Sequence, residues 1–341
     1  MKNKSILIIS LMPLKPVTCG MQNTIHLLYK LLKEKKNNLI FYNINNRSCI
    51  DPVINLKFNK HVLKKINKLT LKYNFDSIFV NTSKLLNIYQ NFFFKKKRQF
   101  KIFLICHDLY YFRKFFFKNI DVNDKTILTK EKEIRSIKKA DYIIDFSDLE
   151  KKFMIKNKID KHKLLNTFTP TKKTNKIYDS CAQYDLLYVS SNWQQNWINL
   201  KFAEKTLKLN TNNFKLLISG NTKYKKIKNK NIVFKKYSSN NMKKAKLGLA
   251  IIKYQTGRQT KIFEMMSFGL PVVTNVNLSN YGLINGTHYI FQKNHDKLLK
   301  IVTSLLKDKK KREKISSECF YWSKANTFYK NSFKQLLKQS I

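Results

Sequence analysis

The stretch Lys246–Asn275 constrains the fold most strongly, because it places one amphipathic segment between two short apolar runs. Continuous apolar runs of this length are typical of strands in a parallel sheet, where both faces are covered. We therefore expect a buried strand at Leu247–Ile252, a helix at Arg258–Phe268 and a second buried strand at Leu270–Thr274. Gly257 lies in the polar turn before the helix. A strand–helix–strand unit is the building block of a doubly wound α/β sheet.

The start of this helix is a candidate anion site. The first N–H groups of a helix have no partner inside it, and the helix dipole favours negative charge at this end. Lys261 lies in the first turn, and Glu264 lies roughly 10 Å along the axis from Gly257 at about 1.5 Å per residue. That distance is about the reach from the terminal phosphate of a nucleotide to its ribose. The helix start therefore predicts an anion site, and the spacing is compatible with a nucleotide.

The rest of the chain repeats this alternation of apolar runs and helical patterns. In the first half, we expect buried parallel strands at Ser5–Ser10, Leu39–Asn43, Ser77–Asn81 and Lys101–Cys106. The segment Asn166–Gln183 lacks periodicity and contains Pro170, which indicates a linker, and the alternation then resumes. The sequence therefore predicts two Rossmann-like domains, residues 1–170 and 171–319, and a C-terminal helix at Lys314–Gln339.

Three further candidate residues lie on the expected ligand-binding rim of the first domain, because ligands of doubly wound sheets bind beyond the carboxyl ends of the strands. Gly20 is in the loop after the first strand, and His107 and Asp108 directly follow the fourth. The alternative for His107 is a structural histidine at a strand end. Asp108 is a weaker candidate because an aspartate also suits a helix cap, and Gly20 could serve only the turn.

The charge balance is strongly basic, with 68 Lys and Arg residues against 21 Asp and Glu residues and a formal net charge of +47. Only six of the basic residues are Arg, the residue that reads nucleic-acid bases best, so no nucleic-acid partner is expected. The excess of Lys, with abundant Asn, Ile, Phe and Tyr, indicates compositional bias. The functional alternative is attraction to anionic lipid or to nucleotide-linked substrates.

Residues 91–119 hold two segments that are both aromatic and basic, Asn91–Phe100 and Tyr110–Asn119. One interpretation is a pair of helices whose Phe rings pack into the core while the Lys side chains stay in water. The other is a patch that binds an anionic membrane surface, with Phe among the headgroups and Lys on the phosphates.

The cysteine pattern and the N-terminus favour a cytoplasmic protein. The five cysteines are scattered, without a pair that suits a disulfide framework or a metal, at positions Cys19, Cys49, Cys106, Cys181 and Cys319. The apolar N-terminus imitates a signal peptide, but Pro13 and Lys15 interrupt it, so we interpret it as the first strand. No apolar run approaches the roughly 20 residues of a membrane span.

These motifs together resemble the glycosyltransferases of the GT-B fold, in particular glycosyltransferase family 4. The most specific match is Gly257–Thr274, which reads G-x-x-x-K-x-x-E-x-M-x-x-G-x-P-V-V-T. Weaker matches are Gly20 in the N-terminal loop, His107-Asp108 and Ala140–Ser147. The resemblance implies two Rossmann-like domains that face a central cleft, with residues 320–341 packing back on the first domain.

The resemblance also implies roles for the residues of the second domain, which holds most of the nucleotide sugar in that family. Glu264 would accept hydrogen bonds from the ribose hydroxyls. Lys261 and Lys253 would neutralise the diphosphate, aided by backbone N–H groups of the Gly257 turn. Gly269 with Pro271 would shape the wall around the nucleotide.

In the first domain, the resemblance implies that Gly20 approaches the diphosphate and that His107 lies on the sugar and acceptor side. Three positions depart from the family pattern. Gly257 stands where many members have a second Glu, Cys19 replaces the first of two glycines, and Lys253 replaces an Arg that would grip phosphate with two hydrogen bonds.

The implied activity is a hexosyltransferase reaction with retention, from a UDP- or GDP-sugar to a glycan or lipid-linked acceptor in surface polysaccharide or lipopolysaccharide assembly. No cofactor is expected, and no Asp-x-Asp motif for a divalent ion occurs in the sequence. Alternatives are a basic nucleic-acid-binding protein and a degenerate glycosyltransferase-like binding protein without activity. A dinucleotide oxidoreductase is a third, although no G-x-G-x-x-G follows either first strand.

Overall fold

The computed structural model of the protein describes residues 4–15, 17, 20–44, 58–94, 98–107, 109–111, 128–145, 147–176, 182–190, 194–209, 214–220, 229–253 and 259–340. The chain divides into two compact units. The first ends at Pro170 and resumes at Ser332, and the second extends from Thr171 to Asn331. The sequence predicts that the chain crosses back to the first unit at residue 320, which is before this boundary.

The first unit contains a six-stranded sheet in which every neighbouring pair is parallel, with the order β2-β1-β3-β4-β5-β6. Its strands are β1 (Ser5–Ser10), β2 (Asn38–Asn43), β3 (Ser77–Asn81), β4 (Lys101–Cys106), β5 (Tyr142–Asp145) and β6 (Leu164–Asn166). The strand order reverses between β1 and β3, so the binding crevice of such a sheet is expected there. The three-residue strand β6 was not predicted, and its last residue falls in the predicted linker.

The described residues of the first half of the chain form the helices α1 (Gly20–Glu34), α2 (Lys60–Lys72), α3 (Ser83–Ile88), α4 (Gln90–Phe93), α5 (Lys130–Lys138) and α6 (Asp148–Lys156). Side-chain caps fix several starts, because Asn59, Thr82 and Thr129 each accept a hydrogen bond from the first turn that follows. Gly20 is the first residue of α1 rather than a residue of the preceding loop.

The second unit contains another six-stranded parallel sheet, with the order β12-β11-β10-β7-β8-β9. Its strands are β7 (Tyr184–Val189), β8 (Leu216–Ser219), β9 (Ile232–Lys235), β10 (Ala245–Ala250), β11 (Val272–Thr274) and β12 (Ile290–Phe291). This is the Rossmann order, with its switch point between β7 and β10. The two doubly wound sheets confirm the predicted fold class.

The helices that follow are α7 (Gln194–Thr206), α8 (Thr260–Ser267), α9 (His295–Lys307), α10 (Lys309–Asn326), α11 (Tyr329–Ser332) and α12 (Lys334–Ser340). The predicted single C-terminal helix is therefore wrong. The helix breaks at Thr327 because the backbone pairs with Thr171: the Thr171 N–H donates to the Thr327 carbonyl at 2.7 Å, and the Tyr329 N–H donates to the Thr171 carbonyl at 3.0 Å. Within the first unit, α12 contacts β6.

The described aromatic residues of 91–119 pack into the core of the first unit. Phe92 and Phe93 are buried, and Phe94 and Phe100 pack against the same cluster. These rings fit the core interpretation. Residues 95–97, 108 and 112–119 lie outside the described part of the chain. Among the described residues, no helix combines the length and the apolarity needed to cross a bilayer.

Candidate functional site

The candidate site of the second unit surrounds α8, which follows the carboxyl end of β10. Residues 254–258, and Gly257 with them, lie outside the described residues. The helix begins at Thr260 and places Lys261 in its first turn and Glu264 one turn later. Residues three apart share one helix face, so these two predicted site residues are neighbours on α8.

Lys261 points from α8 to β7. Its ammonium group lies 4.8 Å from the centre of the Tyr188 ring and 3.5 Å from the Tyr188 hydroxyl oxygen. The Tyr188 hydroxyl in turn donates to the carbonyl of Asn196 at 3.3 Å. Because Tyr188 is on β7 and α8 follows β10, this contact lies at the switch point of the sheet.

Burial makes Lys261 an unusual lysine. Its side chain is only 8% exposed, and desolvation lowers its pKa to about 8. Among the described residues, no carboxylate forms an ion pair with Lys261. A buried ammonium that lacks an anionic partner is suited to an anionic ligand.

Glu264 is half-buried, and its carboxylate accepts a hydrogen bond from the hydroxyl of Tyr237, which lies just beyond β9. Desolvation raises the pKa of Glu264 to about 7, although the nearby charge of Lys172 acts in the opposite direction. Two titratable groups with shifted pKa values on one helix face, at a switch point, mark a candidate functional site.

Two asparagines fix the backbone at the end of β10. Asn275 holds Ile252 from one side, because its Oδ1 accepts from the Ile252 N–H and its Nδ2 donates to the Ile252 carbonyl, both at 2.8 Å. Asn199 of α7 accepts from the Lys253 N–H at 2.9 Å. Lys253 itself is exposed. This arrangement leaves the Lys253 side chain on the surface at the carboxyl edge of the sheet.

Gly269 has a structural explanation in this unit, and Pro271 makes a backbone contact with β10. Gly269 ends α8 with a φ of 75°, a conformation that favours glycine, and a Cβ there would lie 3.1 Å from Ser316 Oγ. The Pro271 carbonyl accepts from the N–H of Gly248 on β10 at 2.9 Å. Their assignment to the nucleotide wall stays a prediction.

In the first unit, the rim at the carboxyl ends of the strands is polar. Asn81, at the end of β3, donates to Ser10 Oγ at the end of β1 at 3.1 Å, so the two strands are joined across the switch point. The next residue, Thr82, has a φ of 91°, which is strained for a β-branched side chain. His107 directly follows β4 and is half-buried, whereas Asp108 lies outside the described residues.

The sequence did not predict Tyr188, Asn199, Tyr237 and Asn275 as site residues. The first three come from segments outside Lys246–Asn275, and Asn275 is the last residue of that stretch. None of the four belongs to a motif with its own spacing. The position of Tyr188 near the end of the first strand of the second domain was the one available signal, since that strand borders the switch point.

Comparison with known protein families gives a match over the second half of the chain. Residues 200–338 match a family model described as glycosyl transferase-like. The matched region includes β10, α8 and β11. A search of curated protein sequences finds no significant match.

Solved structures resemble the chain over its whole length. Sucrose-phosphate synthase from Thermosynechococcus elongatus gives a TM-score of 0.75 at 11% identity and covers 99% of each chain. Anabaena HepE in complex with UDP-glucose gives a TM-score of 0.69 at 13% identity, again over 99% of each chain. WaaG, a glycosyltransferase involved in lipopolysaccharide biosynthesis, gives a TM-score of 0.65 at 13% identity over 96% of this chain and 98% of its own.

At such low identities, these likenesses concern the fold. The fold is the GT-B fold of glycosyltransferases, as the sequence predicts, and the glycosyl transferase-like match falls on the residues around the Lys261 site.

Proposed function

We propose that the protein is a glycosyltransferase whose second unit binds a nucleotide-diphosphate sugar. The observation that carries this proposal is Lys261, a buried ammonium at the switch point that has no carboxylate partner among the described residues. A diphosphate would supply the missing negative charge. The glycosyl transferase-like match of residues 200–338 and the UDP-glucose bound by HepE support this assignment.

The same groups suit the chemistry of sugar transfer. Breaking the sugar–phosphate bond develops negative charge on the leaving diphosphate, and fixed cations aimed at that charge lower the barrier. We assign the stabilisation of the leaving diphosphate to Lys261 and Lys253, together with N–H groups of the Gly257 turn and of the start of α8. In this proposal the reaction uses no metal ion. The Glu264 carboxylate accepts hydrogen bonds from the ribose hydroxyls, so it anchors the other end of the nucleotide. Gly269 and Pro271 shape its wall.

The first unit is proposed to act on the sugar and the acceptor. His107 is its main candidate, with Asp108 and Gly20 as further substrate contacts. The resemblance to glycosyltransferase family 4 implies transfer with retention of the anomeric configuration, and we include retention and family 4 membership in the proposal.

The acceptor is proposed to be a glycan or a lipid-linked glycan, in the assembly of surface polysaccharide or lipopolysaccharide in the cytoplasm. The fold shared with WaaG, which is involved in lipopolysaccharide biosynthesis, supports this class. Attraction to an anionic membrane surface fits the net charge of +47. Because Phe92 and Phe93 are buried, such attraction depends on the lysines and on residues 112–119.

Turnover of a panel of UDP- and GDP-sugars tests the activity. We expect release of nucleotide from one of them by the wild-type protein, faster with a suitable glycan acceptor, and strong loss of turnover in Glu264→Ala. Undiminished turnover in that variant would remove Glu264 from the site. Binding of a nucleotide without any turnover would instead favour a degenerate binding protein.

Flotation with vesicles tests the membrane contact separately. We expect the protein to float with vesicles that contain anionic lipid and not with neutral ones. We expect flotation to fail when the Lys residues of 91–119 and the Phe residues of 112–119 are replaced, with the core residues Phe92 and Phe93 left in place. Equal behaviour with both vesicle types would contradict the membrane contact without affecting the proposed transferase activity.

A further inference from the structure

Two buried carboxylates converge on the short segment that follows His107. Glu133 of α5 and Glu150 of α6 are each only 1% exposed. Glu150 Oε1 accepts from the N–H of Leu109 at 2.6 Å. Glu133 accepts from the next two N–H groups, those of Tyr110 at 3.0 Å on Oε1 and Tyr111 at 2.8 Å on Oε2. Three consecutive amides are therefore bound by side chains from α5 and α6.

Glu133 also binds the neighbouring strand end. Its Oε1 accepts a hydrogen bond from Ser83 Oγ at 2.5 Å. Ser83 is the first residue of α3 and follows the strained Thr82 at the end of β3. One carboxylate thus joins the connection after β3 to the connection after β4, and both connections are part of the polar rim of the first unit.

This arrangement is more than a helix cap. A Ser, Thr, Asp or Asn just before a helix usually binds its first N–H groups, whereas Glu133 and Glu150 lie 22 to 41 residues further along the chain from the amides they bind. Burying a carboxylate is costly unless hydrogen bonds replace its water, and two carboxylates are buried here for one short segment. Because the two carboxylates already bind these three N–H groups, the groups are not available to a substrate phosphate.

We propose that Glu133 and Glu150 are positioning residues that fix the segment Leu109–Tyr111 and thereby hold His107 at the rim. The proposal rests on the proposed function of His107 on the acceptor side. Neither carboxylate contacts the substrate. Their effect on transfer comes from the orientation of the imidazole two residues before Leu109, and small displacements of a catalytic group cost much of the rate.

Replacement of Glu133 by Gln is a sharp test, because both carboxylate oxygens of Glu133 accept from backbone N–H groups. Whichever way the amide turns, its NH₂ group faces one N–H donor, so at least one hydrogen bond is lost. Glu131→Gln is the matched control: Glu131 lies on the same helix, is exposed, and loses the same charge. Ser83→Ala removes only the hydroxyl donor and is the milder second variant, and Glu150→Gln tests the other carboxylate.

The first readout needs no substrate. The imidazole signal of His107 is assigned by NMR in histidine-labelled protein, with His107→Gln as the assignment variant. We expect this signal to shift in Glu133→Gln and Glu150→Gln, to shift less in Ser83→Ala, and to stay in place in Glu131→Gln. A cooperative thermal unfolding transition shows that a variant is folded. If Glu133→Gln does not fold, the His107 signals of Ser83→Ala and Glu150→Gln test the positioning role instead.

The second readout is turnover with the panel of UDP- and GDP-sugars. We expect kcat to fall by about tenfold or more in Glu133→Gln, with the KM for the nucleotide sugar within about twofold of the wild type. The proposal would be overturned if Glu133→Gln folds and if both its His107 signal and its kcat are the same as those of Glu131→Gln. If the wild type acts on no nucleotide sugar, the proposed function fails, and the His107 signal alone still decides the positioning role.

Discussion

The ammonium group of Lys261 packs on Tyr188, 4.8 Å from the ring centre and 3.5 Å from the hydroxyl oxygen. This contact joins α8 to β7 at the switch point of the second sheet. Burial lowers the pKa of Lys261 to about 8, so at neutral pH the side chain keeps its proton in a poorly solvated place. The positive charge is destabilising in the free protein and is available to an anionic ligand.

Replacing Lys261 with Met is expected to stabilise the free protein. A pKa lowered from 10.5 to about 8 corresponds to about 3 kcal/mol of desolvation cost for the charged form. Loss of the contact with Tyr188 offsets part of this, so we expect a gain of about 1–2 kcal/mol at pH 7 in urea unfolding. Lys243→Met, at an exposed lysine of the same unit, should change stability by less than about 0.5 kcal/mol.

The stability gain of Lys261→Met should also depend on pH. Above pH 8 the folded wild type releases this proton while the unfolded chain keeps it up to about 10.5, so wild-type stability rises relative to the variant. The gain is therefore largest below pH 8 and disappears towards pH 10.5. A variant less stable than the wild type at pH 7 would contradict the cost assigned to the buried charge.

The affinity for the nucleotide sugar that the protein binds is expected to show a maximum between pH 7 and 8. Glu264, with a pKa of about 7, becomes the better acceptor for ribose hydroxyls as it ionises, whereas Lys261, with a pKa of about 8, loses its charge at higher pH. The diphosphate of a nucleotide sugar does not titrate in this range. Calorimetric titration should show that Glu264→Gln removes the fall in affinity below pH 7. If this fall is unchanged in the variant, it arises from the titration of another group.

Replacing Asn275 with Ala should loosen the backbone that carries Lys253. The side chain makes two hydrogen bonds of 2.8 Å with Ile252, and its loss leaves the backbone N–H and carbonyl without these partners. We expect a destabilisation of about 1–3 kcal/mol in urea unfolding. Asn240→Ala, at an exposed position of the same unit, is the control. Equal stability of the two variants would show that Asn275 does not hold this segment.

Two glycines with the same backbone conformation allow the cost of a positive φ to be measured separately from the cost of steric contact. Gly269 and Gly282 both have a φ of 75°, but a Cβ at Gly269 would meet Ser316 Oγ at 3.1 Å, whereas nothing lies within 4 Å of one at Gly282. We expect Gly282→Ala to cost about 1 kcal/mol and Gly269→Ala about 1–2 kcal/mol more. Equal losses in urea unfolding would mean that the neighbours of Gly269 yield without cost.

Local pattern was enough to predict the doubly wound α/β sheets and the helix that carries Lys261 and Glu264. The apolar runs around α8 are continuous, and Lys261, Glu264 and Gly269 belong to one uninterrupted spacing, so their placement depends on nothing remote. The observed helix Thr260–Ser267 lies within the predicted Arg258–Phe268. Asn294 caps α9, because its side chain accepts from the Lys297 N–H.

Features created by tertiary contacts could not be predicted in this way. Tyr188 is 73 residues from Lys261, and no local pattern pairs them. The break at Thr327 arises from backbone pairing with Thr171, which outweighs the helical periodicity of the C-terminus. No sequence motif distinguishes Glu133 and Glu150, and only the folded unit brings them to the amides after β4.

Calorimetric titration of UDP and GDP, against the wild type and two variants of α8, tests the central claim most directly. We predict that one of the nucleotides binds the wild type, that its affinity falls by about tenfold or more in both Lys261→Met and Glu264→Gln, and that Lys243→Met binds like the wild type. Failure of both nucleotides to bind, or wild-type affinity in both α8 variants, would contradict the claim that this face holds the sugar donor.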